Sequence, residues 1–216
     1  MLLNINPVAD TYMRDGSYAY TNYGAIGYVL IKTSGTSYNR RALMRFSLSS
    51  LPAGSQISSV RLLTYWLGSS YTGGGTVSVY PCLRDWVENE ATWNVYKSGS
   101  SWATAGAGDN ENDYDGDTLL TGYTLSSAPS TGEEMIWPSS SNLVQKVQDN
   151  IGGEINMLLI SSGDFNFGFY TKEASNGDYW PILEVTYTPC EMEDISLDLA
   201  AYYRKLENLQ MFLRAH

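Results

Sequence analysis

The sequence predicts an all-β chain: antiparallel strands closed into a sandwich or barrel, one short internal helix, and a C-terminal amphipathic helix. Three observations carry this. Short runs of β-branched and aromatic residues alternate with Gly, Pro, Asn and Ser turns over residues 1–188. Helical patterning is nearly absent from that stretch. A heptad pattern then begins after Pro189. With 216 residues, 43% of them apolar and 13% aromatic, the chain can bury a core. Two parts follow, a β-sandwich over 1–188 and a helix over 189–216 for oligomerisation or anchoring.

The expected strands are 8–13, 28–32, 41–47, 59–67, 76–84, 155–161, 165–171 and 182–188. Between them lie Gly16-Ser17, Gly35, Pro52-Ala53-Gly54, Gly73-Gly74-Gly75, Gly163 and Asn176-Gly177. Thr76-Val77-Ser78-Val79-Tyr80 alternates as a half-buried strand should. The internal helix starts at Ser139-Ser140-Ser141-Asn142, whose side chains can cap an N-terminus. Leu143, Val147 and Ile151 form its apolar stripe, and Gly152-Gly153 ends it.

In the tail, apolar residues recur at alternating spacings of three and four. Met192, Leu199, Leu206 and Leu213 take the a positions of a heptad, and Ile195, Tyr202 and Leu209 the d positions. Such a helix either packs on its own sandwich or joins several chains. The expectation is a homo-oligomer, or attachment to other proteins of a larger assembly.

Thirteen Lys and Arg against 23 Asp and Glu give a net charge of −10. That excludes a nucleic-acid surface, which needs clustered bases, and argues against docking on anionic lipid. No run is long and apolar enough to span a membrane. One histidine, His216, leaves no His base or His-rich metal site. Cys82 and Cys190 cannot make a zinc site alone, and two unpaired thiols are the simpler reading of them. The first residues lack the features of a secretory signal, so the expectation is a trimmed chain or one that reaches its place without general secretion, as viral structural proteins do.

Several segments together form a recognisable frame. Ala9-Asp10-Thr11-Tyr12 and Asn22-Tyr23-Gly24 precede an arginine-bearing strand, Arg41 to Ser47, and Ile57 to Leu63. Trp86-Val-Glu-Asn-Glu-Ala-Thr-Trp-Asn94, Trp102, Phe169-Tyr-Thr-Lys-Glu173 and Trp180 to Tyr187 complete it. In order and spacing this resembles the DNRLRE, or disaggregatase-related, domain over about residues 5–188. The resemblance implies a jelly-roll sandwich similar to carbohydrate-binding modules, one that displays, links or binds and is not an enzyme. With the tail, it suggests a structural or attachment subunit of a phage particle, located in the virion. The alternative is an exported carbohydrate-binding module of a bacterial or archaeal surface, placed extracellularly or on the cell surface.

For a surface glycan, Trp66, Tyr71 and Trp137 are the candidate aromatic platforms, since Trp86, Trp93 and Trp180 belong to the frame. The tyrosine run Tyr12, Tyr18, Tyr20, Tyr23, Tyr28 also suits a contact surface. Arg40, Arg41 and Arg45 are the cations available to an acidic sugar. The acidic stretch Asp109 to Asp117 places Glu111, Asp113 and Asp115 at alternate positions before Gly116, like the first half of a calcium loop. The twelfth position is Gly122, so Asp10 is the expected completing ligand of a possible calcium site. Glu133-Glu134 and Glu88 with Glu90 are carboxylate pairs, but neighbours in sequence do not define a separation across a substrate.

Overall fold

A computed structural model describes residues 1–35, 38–68, 73–190 and 202–205. In chain order the strands begin with β1 (Leu2–Ile5), β2 (Pro7–Arg14), β3 (Tyr28–Ile31), β4 (Arg40–Ser47), β5 (Gln56–Tyr65) and β6 (Gly75–Pro81). There follow β7 (Val95–Lys97), β8 (Ser100–Ser101), β9 (Thr121–Leu125) and β10 (Glu134–Trp137). Helix α1 (Ser141–Gln148) precedes β11 (Glu154–Ser161), β12 (Phe167–Tyr170) and β13 (Ile182–Thr188).

Four strands pair in the order β1-β13-β5-β10 and five in the order β2-β4-β11-β6-β9. Every pairing is antiparallel. Strands β3 and β12 form a separate ribbon, which a Trp66–Phe169 bridge joins to the end of β5. The chain is therefore an all-β sandwich, as expected.

Alternation along the strands builds the core between the sheets. Val60 and Leu62 of β5, Leu183 and Val185 of β13, and Met135 and Trp137 of β10 point inward from one sheet. Ala42, Met44 and Phe46 of β4 and Met157 and Leu159 of β11 meet them from the other. At about 25 cal/mol per Å² of apolar surface buried, this layer is the main source of stability.

Leu43 of β4 and Leu158 of β11 point the opposite way, yet are fully buried. They lie in a second apolar cluster with Met13, Trp86, Ala91, Trp102 and Ala107. The long excursion between β6 and β9, residues 82–118, covers the outer face of the five-stranded sheet. β7 and β8 are a small hairpin within it.

The helix forms where its sequence places it. The Ser140 side chain accepts a hydrogen bond from Leu143 N at 3.0 Å, and Leu143 and Val147 are buried. Gly152 adopts φ +84° just beyond it, a conformation that glycine reaches without a Cβ clash. Gln148 ties α1 to the sandwich by accepting from Ile57 N and donating to Ser55 O. Cys82 is buried, Cys190 is exposed, and both are free thiols. No helix among the described residues is long and apolar enough to cross a membrane.

Candidate functional site

Two of the three arginines of β4, Arg41 and Arg45, are structural, whereas the Arg40 Nε is buried without a hydrogen-bond partner. Arg41 donates from Nη1 to the carbonyls of Gly106 and Ala107, both at 2.9 Å. Ala107 sits at φ +56°, which costs a non-glycine residue roughly 1–2 kcal/mol, and these two bonds hold the turn in place. Arg45 donates to Asn156 Oδ1 at 2.7 Å and to the Trp86 carbonyl at 2.5 Å, and its guanidinium lies over the Trp86 ring, 5.0 Å from its centroid. Neither is free to hold a uronate.

The Trp86-to-Asn94 segment is explained by the same docking. Trp86 fills the outer cluster. Glu88 accepts from Asp10 N at 2.8 Å, Glu90 accepts from Ser98 N, and Thr92 Oγ1 accepts from Asn94 N and Val95 N. Asn22 donates to the carbonyls of Glu88 and Ala91. A Cβ on Gly24 would collide with the Glu88 carbonyl, so only glycine permits this approach.

The expected sugar platforms need correction. Trp66 is 1% exposed and Trp137 fully buried. Both rings pack edge-on against Phe167 in the core, at 5.7 and 5.6 Å between centroids. Neither face is open to a ligand. Tyr71 lies outside the described residues, as do Met192, Ile195, Leu199, Leu206, Leu209 and Leu213. Tyr202 falls in a helical stretch, 202–205, and is exposed.

The four residues expected to share calcium are not brought together. Asp113 is fully buried, and its carboxylate accepts from Ala103 N at 2.8 Å, Thr104 N at 2.9 Å, Asp109 N at 3.2 Å and Arg84 Nε at 3.2 Å. Asp115 Oδ1 accepts from the backbone N–H groups of Asp117 and Thr118, and Asp109 Oδ1 does the same for Glu111 and Asn112. Those bonds hold the Asp109 carboxyl below the usual carboxylate range. Glu111 is exposed at the loop tip. The carboxylates of Asp109, Asp113 and Asp115 thus close turns of their own segment. Asp10 lies elsewhere, on β2, beside Glu88 and Glu173. Burial, with Glu173 adding to it, pushes its carboxyl up to about 8.

Two open clefts lie apart from the expected platforms. The larger, about 410 Å³, is lined by Gly27, Tyr28, Tyr170, Glu173, Ser175, Asn176 and Tyr179. Tyr170 ends β12 opposite Tyr28 of β3. Its ring stacks on that of Tyr179, with centroids 5.0 Å apart and planes at 19°. Tyr65 lies 5.8 Å from Tyr179 and donates its hydroxyl to Glu134. The loop bearing Tyr179 is well fixed. Thr171 Oγ1 donates to Ile26 O, Trp180 Nε1 donates to Ala174 O, and Asn176 Oδ1 caps the short turn Gly177–Tyr179 through Asp178 N.

Half-buried aromatic rings next to amide, hydroxyl and carboxylate groups suit a ligand with apolar and hydroxyl faces. The smaller cleft, about 320 Å³, has Asp115, Asn142, Gln145, Lys146 and Asp149 on its walls and no aromatic ring. Of the tyrosine cleft, the sequence singles out only Tyr28 as a contact residue, in the tyrosine run, and gives Tyr170 and Glu173 as part of the frame. Tyr170 and Tyr179 are nine residues apart, and only the turn built on Asn176-Gly177 brings them together.

Residues 2–115, just over half the chain, match carbohydrate-binding module family 96. No curated protein matches the chain. The matched stretch spans β1 to β6 and most of the excursion, so it covers the frame as far as Trp102 and Tyr28 of the larger cleft, while Tyr170, Glu173 and Tyr179 lie beyond it. The chain belongs to this family.

Proposed function

Proceeding from that membership, we propose that the protein is a non-catalytic carbohydrate-binding module working outside the cell or at its surface, and that the cleft between Tyr28, Tyr170 and Tyr179 holds the sugar. The observation that carries the reading is the stacked Tyr170–Tyr179 pair, half-buried beside Asn176, Ser175 and Glu173. Tyrosine offers large area at low entropic cost, and its hydroxyl can meet a sugar hydroxyl. The sugar is uncharged. Glu173 lines the cleft, Asp178 sits in its loop, Glu134 stands beside Tyr65, and the chain carries −10. A uronate would meet like charge on each side.

The carboxylate pairs considered for hydrolysis are engaged in structure. Glu88 binds Asp10 N and Lys172, Glu90 binds Ser98 N, Glu133 binds Ser130 N, and Glu134 binds Tyr65. A virion role finds no support in the family or the fold, and the exported module is the reading that the family favours.

Native gels cast with neutral polysaccharides (mixed-linkage β-glucan, xylan, galactomannan) or with acidic ones (alginate, pectate) test this. At least one neutral polymer should retard the protein, and Tyr179→Ala should reduce the association constant about tenfold or more with its melting temperature little changed. Retardation by the acidic polymers alone would overturn the neutral-sugar assignment. Retardation by none, or unaltered in Tyr179→Ala, would overturn the cleft.

A further inference from the structure

Behind the tyrosine cleft, three segments distant in sequence converge. Asp10 comes from β2, Glu88 from the excursion, and Lys172 with Glu173 from the loop after β12. One carboxylate oxygen from each of Asp10, Glu88 and Glu173 lies within 4.8 Å of the others. Each carboxylate uses one oxygen for the fold. Asp10 Oδ2 accepts from Lys172 N at 3.0 Å. Glu88 Oε1 accepts from Asp10 N at 2.8 Å and pairs with Lys172 Nζ at 3.0 Å. Glu173 Oε1 also meets Lys172 Nζ.

The remaining oxygens are the informative ones. Asp10 is 1% exposed, and its Oδ1 is buried with no hydrogen-bond partner. Glu173 Oε2 is likewise buried and unpartnered. Buried oxygens without partners are costly, and two of them in one carboxylate cluster need an electrophile between them. Charge gives the same answer. With all three carboxylates ionised, the one ammonium leaves −2, which one divalent ion neutralises. All available donors are carboxylate oxygens, which select a hard cation, and a set of three flexible carboxylates suits calcium better than the strict octahedron of magnesium.

We propose that Asp10, Glu88 and Glu173 form a calcium site that clamps β2, the excursion and the loop after β12 together. The site is separate from the acidic stretch Asp109 to Asp117. It needs no sugar, so it stands or falls independently of the proposed glycan binding, although Glu173 also lines that cleft.

Calorimetric titration of the full chain with calcium chloride at pH 7.5, paired with melting curves in calcium and in EDTA, tests it. One calcium per chain should bind, and millimolar calcium should raise the melting temperature by about 5 °C or more, reversibly. Asp10→Asn and Glu173→Gln should each melt cooperatively in EDTA and lose the calcium-dependent rise. Glu173→Gln serves as the gentler variant, because Glu173 is less buried than Asp10. No heat and no shift in the parent chain would overturn the proposal. So would an equal shift in both variants, which would place calcium elsewhere on the acidic surface. A melting temperature that responds to pH but not to calcium would mean that a shared proton alone joins Asp10 and Glu173, and would also overturn it.

Discussion

On the inner face of the five-stranded sheet, Met44, Phe46, Met157 and Leu159 pack against the apolar face of another sheet. On the outer face, Leu43, Leu158 and Met13 pack under a segment of about forty residues with little regular structure. Both layers are buried, but they are held differently. The inner one relies on area and shape, with an occasional side-chain pair such as Trp137 Nε1 donating to Thr64 Oγ1 at 2.9 Å. An irregular segment has no ladder to satisfy its backbone, so its buried N–H and C=O groups must find side chains. Arg41, Arg45, Asp113 and Thr92 serve that need. A sheet can thus be buried on both faces by one chain, provided that charged residues stand where a second sheet would have supplied hydrogen bonds.

The largest expected effect comes from the inner layer. Trp137→Ala removes a fully buried ring that contacts Tyr123 and Phe167, and leaves Thr64 without its donor. It should cost about 3–5 kcal/mol. The whole domain should melt roughly 10 °C lower in one cooperative transition, with hydrogen exchange rising evenly over both sheets. A loss confined to one segment would show that the inner layer is not a single unit.

Asp113→Ala should do less and do it locally. The change strands three backbone N–H groups and Arg84, at a cost of about 3 kcal/mol. Because the inner core is untouched, residues 84–118 should exchange and be cleaved by protease well before the sheets open. Uniform acceleration across the molecule would mean that the outer cover and the sandwich unfold together, and the distinction between the layers would fail.

The same contrast governs what the sequence could disclose. Short runs of β-branched and aromatic residues between turn residues placed β2 to β6 and β11 to β13 to within a few residues, and strict alternation marked only Thr76 to Tyr80 of β6. Strands β1, β7, β8, β9 and β10 escaped. β10 has four residues, and β9, Thr-Gly-Tyr-Thr-Leu, carries a glycine at its centre. The helix was legible through Ser140, Leu143 and Gly152, all local signals.

The site was less legible. Spacing alone made Asp109 to Asp117 look like half a calcium loop, since turn-closing and metal-binding carboxylates share the same sequence pattern. Asp113 and Asp115 turned out to accept from their own backbone. The sequence points to Asp10 as a ligand, but its neighbours Glu88 and Glu173 stand 78 and 163 residues away and meet it only through the fold. Trp66 and Trp137 stand outside the family-like frame, and nothing local in the sequence marks either ring as inward.

The smallest effect, taken one pH unit at a time, sharpens the comparison where the cover meets the sandwich edge. Glu88 of the excursion caps Asp10 of β2, and Lys172 and Glu173 close over the same carboxyl. In protein held in a chelator, burial pushes the Asp10 carboxyl from 3.8 up to about 8, with Glu173 adding to the rise and Lys172 opposing it. The folded state therefore holds this proton more tightly than the unfolded chain. Its contribution to stability is complete below about pH 4 and is lost as pH climbs through about 8. Between those limits this one group lowers stability by about 1.4 kcal/mol per pH unit at most. Asp10→Asn keeps an oxygen for Lys172 N and offers an N–H to Glu173, but has no proton to lose. Melting curves in EDTA at pH 5, 6, 7 and 8 should converge at the acid end and separate toward pH 8, with the variant above the parent. Parallel curves would show that Asp10 is ionised in the fold throughout, and that the excursion is attached here by Glu88 and Lys172 alone.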